Sequence, residues 1–149
     1  MATLEMIPAT FENSIAVFDN LRREDSMEIS RLGKPTEVLT ELLETSHAWL
    51  ALLDSVPVAV YGIRPSGSPL QPAVLWLVTT RVVESAKIQL AKASARFVYS
   101  ALAEWGVLEG WVLCENERSQ RWLTWMGFTL SEPFELEPVG LVRKFQMRL

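Results

Sequence analysis

VLCENERSQRWLTWMGF, Val112–Phe128, is the stretch whose reading decides the fold. Its apolar start, taken with Gly110 and Trp111, predicts a strand over Gly110–Cys114. That run has no room for a polar face, so both faces are expected to be covered. Glu115-Asn116-Glu117 is a polar break. Asn116 can cap a following helix, because its side-chain oxygen can accept from the first unpaired amide groups. Trp122, Leu123, Trp125 and Met126 then recur at helical spacing. Gly127 provides a left-handed stop, and Phe128 opens another apolar segment.

Working outward, AVLWLVTT, Ala73–Thr80, predicts a second buried strand. Leu90, Phe97, Val98 and Leu102 predict a long helix from about Ala86 to Trp105, ended by Gly106. WLALLDSVPVAVYGI, Trp49–Ile63, predicts a hairpin turning at Asp54-Ser55. Pro57 is tolerable there because it sits at a strand start. Arg64–Pro72, with three prolines and one glycine, predicts a loop able to border a site. Leu4–Ala9 is a strand candidate, and Thr10 or Asn13 can cap the helix after it. Gly33 and Pro35 halt the next helical segment. Thr36 is the expected cap of another helix, with Val38, Leu39, Leu42 and Leu43 inward. Thr129–Pro138 reads as a strand edge and loop. LVRKFQMRL, Leu141–Leu149, reads as the last strand.

The pattern N-x-x-S, seven residues, then G-F, carried here by Asn116, Ser119, Gly127 and Phe128, resembles a signature of the GCN5-related N-acetyltransferases. The Trp49–Ile63 hairpin and the order strand, long helix, strand, short helix, terminal strands are similar to that family too. The resemblance implies an α/β fold with a mixed, mostly antiparallel sheet and helices on both faces. It implies one domain over residues 1–149. Within the family, Asn20–Ile29 together with Arg121–Phe128 looks most like acetyltransferase-like proteins of tailed bacteriophages, the group that includes the podophage internal virion protein. That implies host cytoplasm or virion as the location.

The resemblance also assigns roles. The Ala73–Thr80 strand, at Leu77, Val78 and Thr79, would pair with the pantetheine arm of acetyl coenzyme A. A glycine-rich turn of type [QR]-x-x-G-x-[GA] would follow, its bare backbone closing on the pyrophosphate at a helix N-terminus. Here RVVESAKIQLAKASARF, Arg81–Phe97, holds no glycine, and each Cβ restricts that turn. Lys87 and Lys92, or Arg96, can hold phosphates by charge instead, or can simply line a solvated helix face. Many family members carry a general-acid tyrosine seven residues after the asparagine. Leu123 stands there and cannot donate a proton. Tyr61 and Tyr99 are the two tyrosines of the chain. Candidate catalytic residues are Glu115, Asn116 and Ser119, with Glu117, Asp25 and Glu28 as further bases.

Arg22, Asp25 and Glu28 share one face of a predicted helix. Such a cluster reads as a solvated, ion-paired surface, worth about 0.5 kcal/mol per pair, or as a rim facing a substrate or partner. Trp122 and Trp125 read as core, or as anchors for a partner.

Composition narrows the classes. The 149 residues are 49% hydrophobic and 21% charged, enough for a real core. A net charge of −4 argues against a broad nucleic-acid surface while permitting a local basic patch. One histidine, His47, and one cysteine, Cys114, leave no metal-ligand cluster and no intrachain disulfide. No apolar run reaches the length of a membrane span, and no leader-like pattern opens the chain. Two functions fit. One is an acyl-coenzyme A-dependent N-acyltransferase acting on an amine. The other is a phage assembly protein with a degenerate site, no cofactor, and a phage or host protein as partner.

Overall fold

The computed structural model describes residues 3–67 and 71–149, and the backbone alone at Ser85. The described residues carry eight strands and five α-helices. Residues 68–70, inside the loop expected over Arg64–Pro72, lie outside them. No described helix is long and apolar enough to cross a membrane. The chain packs as two compact units, the first running to Arg64 and resuming over Trp76–Leu90, the second comprising Pro65–Leu75 and Ala91–Leu149.

In the first unit, β1 (Leu4–Pro8) pairs antiparallel with β2 (His47–Leu53), which pairs antiparallel with β3 (Val56–Arg64). Asp54 and Ser55 both take positive φ, 48° and 70°. Two left-handed residues match the twist of a tight hairpin. β4 (Ala73–Thr79) follows β3 in the sheet order. Thr10 and Asn13 form a reciprocal capping box at the start of α1 (Phe11–Phe18). Next come α2 (Arg23–Leu32) and α3 (Pro35–Thr45). Thr36 is not the cap of α3: Pro35 already occupies its first turn and Lys34 precedes it. Proline tolerates that place because its missing N–H would have had no helical partner.

Val58, Ala59 and Val60 are all fully buried, so β3 is covered on both faces. On one face Val17, Leu39, Leu50, Val60 and Val78 pack with α1, α2 and α3. On the other, Ala51, Val58 and Ala59 meet Ala86 and Leu90. Gly62 lets the Trp76 ring lie against β3, since a Cβ there would stand 2.7 Å from it. The indole of Trp76 donates to Ser46 Oγ at 2.9 Å.

A 3₁₀ turn over Arg81–Ala86 leads into α4 (Lys87–Trp105). In the second unit, β5 (Val107–Leu113) pairs in parallel with the start of β4 at Ala73↔Leu108 and Val74↔Glu109. It starts earlier than the Gly110–Cys114 expected, because Glu109 breaks the apolar run. Glu109 is accommodated by Lys144 Nζ at 3.4 Å. After α5 (Glu117–Met126) come β6 (Thr129–Leu130), β7 (Phe134–Leu136) and β8 (Gly140–Arg148). β8 pairs antiparallel with β5, β6 and β7. The last strand therefore both flanks β5 and closes a terminal hairpin.

Gly110 is required where it stands. A Cβ there would lie 2.7 Å from the Leu75 carbonyl oxygen and against the Phe145 ring. Gly110→Ala is expected to destabilise the chain by about 2 kcal/mol through overpacking, a fall in Tm of roughly 4–8 °C at this length. Thermal unfolding followed by circular dichroism checks this, and an unchanged Tm contradicts so close an approach.

Candidate functional site

Thr79, the last residue of β4, is where the polar groups converge. The neighbouring Thr80 turns its amide toward β3, donating to the Val58 carbonyl at 2.9 Å. Successive residues of a strand point their backbone groups to opposite edges, so Thr79 presents its amide and carbonyl on the edge away from β3. The segment joining α1 to α2 closes that edge. Leu21 forms an antiparallel bridge with Thr80. The Arg22 amide donates to the Thr79 carbonyl at 2.9 Å. Asp25 Oδ2 accepts from both the Thr79 amide, at 2.9 Å, and the Thr79 hydroxyl, at 2.7 Å. Arg22 Nε lies 3.5 Å from that same oxygen.

Asp25 is only 7% exposed. A buried carboxylate must be paired and bonded to stay charged, and its place in the first turn of α2 adds the favourable end of the helix dipole. The cluster is thus neither a solvated surface nor an open rim at Asp25. It fastens α2 to β4.

The charges beside it are perturbed. Burial pushes the Asp25 carboxyl up, opposed by Arg22 and by the Thr79 bonds. Burial, and then the negative charge of Asp25, push Glu28 up to about 7, with Arg31 opposing.

The turn after β4 bonds two of its own amides to Thr80. The Thr80 hydroxyl accepts from the Val82 amide at 3.3 Å, and the Thr80 carbonyl accepts from the Val83 amide at 3.2 Å. The Thr79 amide and carbonyl and the Val82 and Val83 amides are already bonded, and no glycine opens the turn. The side chains of Leu77 and Val78 belong to the two apolar layers. Lys87 reaches Glu84 at 3.8 Å, and Lys92 is exposed on α4. Beside this turn a groove of about 630 Å³ is lined by residues that include Asp19, Asn20, Ser26, Val56 and Arg81.

In the second unit, Asn116 is a buried helix cap whose Oδ1 accepts from the Ser119 amide at 3.2 Å. Gln120, absent from the candidates above, ties down the same loop. Its side-chain amide reaches the carbonyls of Leu113, Cys114 and Asn116 at 3.1, 2.9 and 3.3 Å. Its place four residues after the cap was the available signal. Glu115 is exposed in that loop. Leu123 is buried, as an apolar residue facing inward on α5 should be. Tyr61 stacks on Trp49 with ring centroids 5.9 Å apart, and burial pushes its hydroxyl up to about 12. Tyr99 is exposed, its hydroxyl donating to the Met126 carbonyl at 3.4 Å.

No protein-family model matches the sequence, and no curated protein matches it. Solved structures do. A GNAT-family acetyltransferase from Bacillus anthracis superposes with a TM-score of 0.75 at 12% identity, covering 97% of this chain and 94% of the other. The GNAT domain of an S. lividans protein gives 0.73 at 15%, covering 99% and 90%. RimL, a ribosomal L7/L12 α-N-protein acetyltransferase in complex with coenzyme A, gives 0.72 at 11%, covering 99% and 94%. The fold is that of the GCN5-related N-acetyltransferases.

Glu28 makes stability depend on pH. Its carboxyl titrates at about 7 in the folded chain against 4.5 ordinarily, so the folded chain holds a proton that the unfolded chain has released. Its contribution is full below about pH 4.5 and is lost as pH rises through 7. At about 1.4 kcal/mol per pH unit, discounted for its partial exposure, the loss is about 2 kcal/mol. Glu28→Gln is expected to remove this slope and raise stability near pH 8. Urea unfolding across the window checks it, and a wild-type curve without the slope contradicts it.

Proposed function

We propose that this chain uses the acetyltransferase fold without acetyl transfer: its thioester site is degenerate and it acts through contacts with other proteins. The observation that carries this reading is the closure of Thr79 by Asp25 and Arg22. The self-capped, glycine-free turn and Leu123 at the general-acid place support it further. Fold alone does not assign activity. The pairing of Asn20–Ile29 with Arg121–Phe128 adds the phage context. In it the protein is made in the host cytoplasm and serves virion assembly or genome delivery.

A second reading, an N-acyltransferase taking acetyl coenzyme A, draws on RimL, a similar fold in complex with coenzyme A. It requires Asp25 and Arg22 to release Thr79.

Thermal melting of the full chain with millimolar coenzyme A or acetyl coenzyme A separates the two. No shift is expected. A ligand at 100 times its Kd would add about 2.7 kcal/mol, roughly 5–10 °C at this length, and such a shift would overturn the degenerate-site reading. For the assembly role, the protein should co-purify with virions or procapsids. Its absence from both, with normal particles after deletion of the gene, would remove that role.

A further inference from the structure

We infer that the exposed face shared by α4 and α5 is a docking surface for an acidic segment of a protein partner. Lys92, Arg96 and Tyr99 stand at i, i+4 and i+7 on α4, and all are exposed. Arg121, Trp122 and Trp125 fall along one side of α5, with Arg121 and Trp125 exposed and Trp122 half-buried. The hydrogen bond from Tyr99 to the Met126 carbonyl joins the two faces. Both rings stay largely in water, Tyr99 at 59% and Trp125 at 63% exposed, while Leu102, Leu123 and Met126 fill the inward sides of the same helices. Trp125 is therefore not core, and its helical spacing alone could not have shown that.

The charge of the face identifies the occupant. Among the described residues Lys92, Arg96 and Arg121 make no ion pair, whereas Lys87 and Lys144 do. Residues three and four places from Lys92 and Arg96 on α4 include no carboxylate. Lys92, Arg96 and Arg121, against the single carboxylate of Glu117 four places before Arg121, leave this face net positive on a chain with a net charge of −4. Trp, Tyr and Arg are the residues that anchor protein interfaces, and cations without partners of their own call for carboxylates opposite. A nucleic acid is the weaker fit, because a polyanion is repelled by the net charge and needs a longer cationic track. The inference adds the partner's chemistry to the proposed function. It uses the second unit alone, and stands whether or not coenzyme A binds the chain.

The test titrates the full chain into a fluorescein-labelled peptide of Glu-Glu-Leu-Leu repeats, read by anisotropy. Saturable binding that weakens as salt rises is expected. Trp125→Ala, and separately Arg96→Glu with Arg121→Glu, should each raise Kd about tenfold or more. Because these side chains are exposed, Tm should not move, which separates lost binding from lost folding. Three results would overturn the inference: no binding of the peptide, binding that these variants leave intact, or tighter binding of oligothymidylate of equal charge. Self-association lost in Trp125→Ala, with no peptide bound, would overturn it as well and make the occupant a second copy.

Discussion

One oxygen of Asp25 ties the start of α2 to the end of β4, 54 residues further along the chain. It takes the amide and the hydroxyl of Thr79 and sits beside the Arg22 guanidinium. A buried carboxylate left without those donors would cost several kcal/mol, so the arrangement admits little looseness. It determines where α2 begins, how Leu21 meets Thr80, and which groups cover the far edge of β4. Glu28, one turn further along α2, is then left half-buried beside a negative charge, and its raised pKa follows.

The same constraint governs what the fold can do. An acetyltransferase-type sheet offers function at the end of its fourth strand, where backbone groups without partners can meet a ligand. In this chain those groups are bonded internally on both edges, to Val58 on one side and to Arg22 and Asp25 on the other. Thr80 does for Val82 and Val83 what a phosphate would otherwise do. On the proposed reading the molecule acts through its surfaces, of which the aromatic and cationic face of α4 and α5 is the least like ordinary solvated helix.

Local signals were legible in the sequence. Asn116 as a cap, Gly127 as a left-handed stop and Asp54-Ser55 as a turn each follow from the backbone needs of a few adjacent residues. The order of elements was legible because strands and helices differ in apolar period. What the sequence hid is non-local. Asp25 sits in a run of charged residues that looks solvated, and its partner Thr79 is 54 residues away. Gln120 acts on carbonyls that exist as a cluster only once the loop has formed. Trp122 and Trp125 lie close around the helix, and the exposure of one rather than the other depends on what packs beside α5.

The most direct test of the central claim is amide hydrogen exchange at Thr79, measured by NMR with and without millimolar coenzyme A. A Thr79 amide as protected as those of the strand core, with exchange and chemical shift unchanged by the cofactor, is the predicted result. Rapid exchange at Thr79, or a cofactor-induced shift there, would contradict the account, because either would mean that Asp25 does not hold that edge closed.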